Sequence, residues 1–131
     1  MRTVLFVCVG NAGRSQMAEA FFNQAAGGKA RAISAGTKPA SSVDPQTVQV
    51  MREVGIDISA ARPKPLTTEM LDRADRVVTM GCGAEGVCPA SFVETEDWQL
   101  EDPKGKPIED VRVIRDEIRA RVTRLLDNLK T

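Results

Sequence analysis

A chain of 131 residues fits one domain and buries enough apolar surface to fold without metals or disulfide staples. Its 18 Lys and Arg balance its 18 Asp and Glu, so no global field draws it to nucleic acid or to an anionic membrane, and an anionic ligand needs a local source of positive potential. The absence of histidine and tyrosine excludes Cys-His and Ser-His catalytic pairs and histidine zinc sites, and neither metal nor cofactor is expected.

Residues 3–8 (TVLFVC) form a continuous apolar, β-branched run, which predicts a strand buried on both faces. The run is far too short to span a membrane and no cleavable signal precedes it, so the cytoplasm is the expected location. Residues 15–25 carry Met17, Ala18, Phe21 and Phe22 on one helical face. A second strand is predicted over 30–35, closed by Gly36. Asp44 and Pro45 then open a helix with Val48, Met51 and Val54 inward and a stop at Gly55. Thr67 or Thr68 caps a helix through Leu71, residues 76–80 (RVVTM) read as a third buried strand, and residues 92–94 begin a short fourth. Val111, Ile114, Ile118, Val122, Leu125 and Leu129 recur at three- and four-residue steps and mark a long final helix over 109–129.

Strands alternating with helices imply right-handed crossovers and a parallel sheet covered on both faces, with ligands bound beyond the carboxyl ends of the strands. Cys8 lies at such an end. From it runs Cys8-Val9-Gly10-Asn11-Ala12-Gly13-Arg14-Ser15, a short loop leading into a helix start. A loop of this kind aims backbone N–H groups inward while the helix dipole adds positive potential, so a tetrahedral oxyanion fits the cradle. Gly10 and Gly13 are expected to supply backbone angles that other residues resist, and Arg14 to clamp two oxyanion oxygens with its planar fork. The same field favours the Cys8 thiolate, with Ser15 placed to donate a further hydrogen bond to the sulfur. Three cysteines is an odd number, which argues against a closed secreted disulfide framework and leaves thiols for chemistry.

The string VCVGNAGRSQMAEAFF resembles the signature of the low-molecular-weight tyrosine phosphatase superfamily, including its arsenate reductase branch. The resemblance extends through Ser34-Ala35-Gly36, Val77-Val78-Thr79-Met80 and Asp102-Pro103 to the final helix, essentially the whole chain. It implies a single α/β domain over 1–131 with three layers: a central four-stranded parallel sheet and helices on both faces. It also implies a monomer.

Two features separate the branches. Cys82 and Cys88 flank Gly83-Ala84-Glu85-Gly86-Val87, a stretch rich in small residues that follows the third strand and emerges at the same sheet edge as Cys8. Thioredoxin-coupled arsenate reductases join two such cysteines to the nucleophile of the oxyanion loop. The resemblance thus implies arsenate as substrate, Cys82 as second thiol, Cys88 as the thiol presented to the reductant, and thioredoxin as partner. Tyrosine phosphatases of the superfamily follow Asp102-Pro103 with aromatic residues that frame an aryl substrate, whereas Lys104 and Gly105 follow here, with only Trp98 nearby. Asp102 is nevertheless expected to protonate a leaving oxygen. Some members of the reductase branch bind potassium through an asparagine, a glutamate, a serine and an aspartate. Asn11, Glu19 and Ser34 match the first three, and Lys64 stands at the fourth, its ammonium replacing the ion. Three other readings stay open: a phosphatase using Cys8, Arg14 and Asp102 alone, a reductase served by mycothiol or another small thiol, and a non-enzymatic binder holding trivalent arsenic on three thiols.

Overall fold

Val4 to Cys8 are each no more than 2% exposed, as a strand covered on both faces requires. In the computed structural model, which describes residues 2–80 and 94–129, this strand runs Arg2–Cys8 (β1). It is followed by a helix Arg14–Ala26 (α1), a strand Ala30–Gly36 (β2), helices Pro45–Glu53 (α2) and Thr68–Arg73 (α3), strands Arg76–Thr79 (β3) and Glu94–Asp97 (β4), and the helix Ile108–Leu129 (α4). The four strands form one parallel sheet in the order β2-β1-β3-β4.

Side-chain alternation along β1 divides the core. Val4, Phe6 and Cys8 face Met17, Ala18, Phe21 and Phe22 of α1 and Val111, Ile118 and Val122 of α4, while Leu5 and Val7 face Met70 and Leu71 of α3. Phe6 anchors the larger layer, with its ring centroid 6.0 Å from that of Phe22 and 5.7 Å from that of Trp98.

Local chemistry sets the helix ends. Asp44 Oδ1 accepts from the Gln46 N–H at the start of α2, and Gly55, at φ 85°, closes the helix with Gly55 N–H and Ile56 N–H on the carbonyls of Arg52 and Met51. Thr67 caps α3 by accepting from Met70 N–H. The inward stripe of α2 differs from the sequence reading: Thr47, Val50 and Met51 are buried, while Val48 and Val54 are only partly so. The cause is α4, whose Arg115 donates to Val50 O and Glu53, and whose Arg112 grips Glu53, rotating the helix onto that edge. The predicted fourth strand begins at Glu94, and Phe92 and Val93 lie outside the described residues.

The order β2-β1-β3-β4 sends the chain one way from β1 to β2 and the other way from β3 to β4. The crevice between the carboxyl ends of β1 and β3 is therefore the topological switch point. Met80 N–H donates to Val7 O there, beside Cys8.

Candidate active site

Four carbonyls of the loop after β1 are tied to the segment after β2. Those of Cys8, Val9, Gly10 and Ala12 accept from the backbone N–H groups of Thr37, Lys38, Ala40 and Asp44, at 2.8–3.1 Å. With those acceptors pinned, the Asn11 N–H turns to the Cys8 sulfur, and α1 begins at Arg14 with no side-chain cap over its first turn. An uncapped helix end of this kind can seat an anion. Cys8 lies at its floor, 2% exposed, with its sulfur 3.2 Å from the Asn11 N–H and 2.8 Å from Ser15 Oγ.

The direction of the serine contact follows from the amide of Asn11. Its Oδ1 accepts from the Lys64 N–H at 2.9 Å and from Gln16 Nε2 at 3.1 Å, so Nδ2 is the atom that donates to Ser15 Oγ, at 2.7 Å. A backbone N–H has no acceptor alternative, which fixes the amide. Ser15 Oγ, already accepting, is left to give its own proton to the Cys8 sulfur.

Gly13, at φ −142° and ψ −87°, lies outside the helical and extended regions, as expected of a glycine there, but the left-handed position of the loop belongs to a different residue. Neither glycine has a positive φ; the left-handed position is Asn11, at φ 51°, and asparagine tolerates it. The glycine at 13 is required by crowding from Pro103 and Thr47, and Gly36 by the Val9 carbonyl, which would lie 2.7 Å from a Cβ there.

Arg14 is 5% exposed. It donates to Leu100 O at 3.1 Å, with Asp102 Oδ2 3.9 Å away. The cleft above holds about 490 Å³ and is lined by all of the loop except Asn11 and Ser15, which lie beneath it, and by the stretch Asp102 to Gly105. Its opposite wall, Lys38, Ala40 to Ser42, Asp44 and Pro45, was missed by the sequence reading. The register of β1 on β2, with Cys8 opposite Gly36, is the signal that brings these residues to the same edge, and it is not visible until the strands are paired. Among the described residues, no aromatic side chain lines the cleft. Trp98 is buried against Phe6, with its Nε1 donating to Glu96.

Beneath the loop, the four residues matched to the cation site come together. Lys64 Nζ lies 3.8 Å from Glu19 Oε1 and 3.5 Å from Ser34 Oγ, while its backbone N–H holds Asn11. Burial pushes the Glu19 carboxyl up, with Lys64 and hydrogen bonds at Ser34 pulling it back. Cys82 and Cys88 lie outside the described residues.

The model of the low molecular weight phosphotyrosine protein phosphatase family matches residues 3–131. The chain belongs to that family. It is an enzyme, similar to an arsenate reductase of Brevibacillus brevis, 38% identical over 128 residues that cover 96% of this chain and 95% of the relative. Among solved structures it resembles a thioredoxin-dependent arsenate reductase of Corynebacterium glutamicum, at a TM-score of 0.85 and 40% identity over 99% of this chain. The chain spans 62% of the length of that protein. It also resembles the YwlE arginine phosphatase of Geobacillus stearothermophilus, at a TM-score of 0.88 and 30% identity, covering 99% of this chain and 94% of that one.

Proposed function

We propose that the chain is an arsenate reductase working through a thiol-arsenate adduct on Cys8 and a disulfide relay through Cys82 and Cys88, re-reduced by thioredoxin. The observation that carries this reading is a loop cradle with a thiol at its floor, 3.2 Å from the Asn11 N–H and 2.8 Å from Ser15 Oγ, and a cleft with no aromatic lining among the described residues. Arsenate and phosphate share a tetrahedral shape, and the two further thiols supply what phosphate chemistry does not need. Cys82 is two residues beyond Met80, a span of at most about 7 Å, and Met80 is bonded to the strand that ends in Cys8.

In this mechanism the Cys8 thiolate attacks arsenic and an arsenate oxygen leaves as water, Arg14 and the loop N–H groups holding the others. Cys82 thiolate then attacks the Cys8 sulfur. The sulfur–arsenic bond breaks with its electron pair going to arsenic, so arsenite leaves and a Cys8–Cys82 disulfide remains. Cys88 attacks Cys82, freeing the Cys8 thiolate, and a dithiol of thioredoxin reduces the Cys82–Cys88 bond by exchange. Ser15, held by Asn11, donates to Cys8 whenever it is the leaving or waiting thiolate. Lys64 stands as an internal cation behind the loop, in contact with Glu19 and Ser34.

Phosphomonoester hydrolysis is the second reading, favoured by Asp102. It lines the cleft, its side chain is 60% exposed, and its free oxygen faces Arg14. Hydrolysis needs Cys8, Arg14 and that acid, without the other thiols.

Serine substitutions separate the two. Cys82→Ser should form the adduct and release no arsenite, and Cys88→Ser should complete one turnover and stall as a Cys8–Cys82 disulfide. Hydrolysis of an aryl phosphate should survive both changes. Single-turnover arsenite release with mass mapping of the trapped disulfide reads these outcomes. Continued cycling of Cys88→Ser with thioredoxin at the parent rate would sink the outward transfer.

A further inference from the structure

At Gly13 the segment that carries Asp102 closes onto the loop after β1. A Cβ there would lie 2.9 Å from Cγ of Pro103 and 3.3 Å from Oγ1 of Thr47. Carbon atoms in contact rest at about 3.5–4.0 Å, so no side chain fits at 13 while Pro103 keeps its place. Thr47 carries a second sign of the same constraint: it is fully buried, and its hydroxyl has no hydrogen-bond partner among the described residues. A serine or cysteine at 13 would offer that hydroxyl a partner. The fold leaves it unsatisfied, against the usual rule for buried polar groups, and seats a proline ring instead.

Pro103 follows Asp102, whose carboxyl is turned by its neighbours. The Lys104 N–H donates to Oδ1 at 3.0 Å, so in the neutral acid the proton sits on Oδ2, the oxygen 3.9 Å from Arg14. Arg14 in turn donates to Leu100 O at 3.1 Å. Among the described residues, two of the three fastenings between this segment and the loop thus run through the guanidinium of Arg14, which also has an oxyanion to bind. The third, Pro103 on Gly13, is the one that substrate does not disturb.

We infer that Gly13 is a positioning residue: its missing side chain is the notch that seats Pro103 and sets the Asp102 carboxyl over Cys8, where it protonates the departing oxygen. The inference rests on Asp102 acting as the acid in the phosphatase reading. In that step the Cys8 sulfur bonds to phosphorus and the bond from phosphorus to the ester oxygen breaks. The electron pair goes to that oxygen, and the proton from Oδ2 follows it.

Two esters test the notch. The dinitrophenolate of 2,4-dinitrophenyl phosphate leaves without a proton, whereas phenyl phosphate needs one. Asp102→Asn should lower kcat/KM on phenyl phosphate about 100- to 10,000-fold more than on the dinitrophenyl ester, the range of a lost general acid, and Gly13→Ala should split the two esters in the same direction. Equal losses on both esters in Asp102→Asn, or no hydrolysis of either ester by the unmodified protein, overturn the acid and the notch together. A split in Asp102→Asn with none in Gly13→Ala overturns the notch alone. Adding Gly13→Ala to Pro103→Gly, where no ring remains to be displaced, should leave the ratio of the two esters unchanged. Two effects that simply multiply would show that residue 13 acts on something other than Pro103.

Discussion

Replacing Asn11 tests the link between backbone strain and the nucleophile. The residue is fully buried, sits at φ 51°, and makes three side-chain bonds: to Lys64 N–H, Gln16 Nε2 and Ser15 Oγ. Asn11→Gly keeps the backbone relaxed and removes the amide. Gln16 retains the Arg62 carbonyl, so the main cost is the Lys64 N–H left without an acceptor, about 1–3 kcal/mol. Asn11→Ala adds the left-handed penalty of an ordinary side chain, about 1–2 kcal/mol. The alanine variant should therefore be the less stable by about 1 kcal/mol or more, and should lose up to about 5 kcal/mol in all, a large part of the stability of a domain this size. Urea unfolding at pH 7 measures both. The rate of Cys8 alkylation, read in the same samples, should fall in both variants, because Ser15 is no longer committed to donating toward the sulfur. Equal stability of the two variants would show that the positive φ carries no strain. Parent-like alkylation in both would break the chain from Asn11 through Ser15 to Cys8.

Cys8→Ser should abolish both arsenate reduction and ester hydrolysis in a folded protein, and appreciable turnover would remove this sulfur from the mechanism. Arg14→Lys should bind sulfate or arsenate more weakly, since an ammonium does not reproduce the fork; unchanged affinity by calorimetry would assign binding to the backbone alone. With Lys64 as internal cation, turnover should be the same in sodium and potassium salts at matched ionic strength, and Lys64→Asp should create a potassium dependence; a potassium requirement in the parent contradicts this. Glu19 predicts a pH effect, because its carboxyl is raised chiefly by burial and so binds its proton more tightly in the native state than in the unfolded one. It weakens the fold above its native pKa, and the weakening fades as pH falls toward the ordinary glutamate value of 4.5, so Glu19→Gln should gain stability relative to the parent as pH rises from 4.5 to 7. A stability difference flat with pH rejects it.

The sequence is legible where one interaction dominates. β1 is an unbroken apolar run because both its faces are covered, and α4 repeats at helical steps because one face packs on the sheet. The placement of Cys8 at the strand exit and Arg14 at the helix start was legible from spacing, since a strand, a loop and a helix start fix their relative positions without help from elsewhere. What was misread depends on distant partners. The stripe of α2 is turned by Arg112 and Arg115, more than fifty residues away. The crowding of Gly13 by Pro103, ninety residues on, was not visible, and the left-handed turn falls to an asparagine whose amide is held by residues 16 and 64.

These distant partners also explain why a neutral chain makes so local an anion site. A loop that turns its N–H groups toward one point must turn its carbonyls away from it, and carbonyls buried without donors would cost as much as the anion returns. The segment after β2 resolves this by supplying donors at Thr37, Lys38, Ala40 and Asp44, and the register of β2 on β1 delivers that segment to the loop. The positive potential therefore comes from aligned peptides and one buried arginine, so the site needs no excess of basic residues in the sequence. It follows that proline at position 38 or 40, which removes one of these donors without touching the cleft-facing N–H groups, should weaken sulfate binding while leaving Arg14 in place. Calorimetric titration against the alanine variant at 38 and the serine variant at 40 separates the lost donor from the lost side chain, and equal affinity within each pair would show that the cradle holds its shape without this second layer.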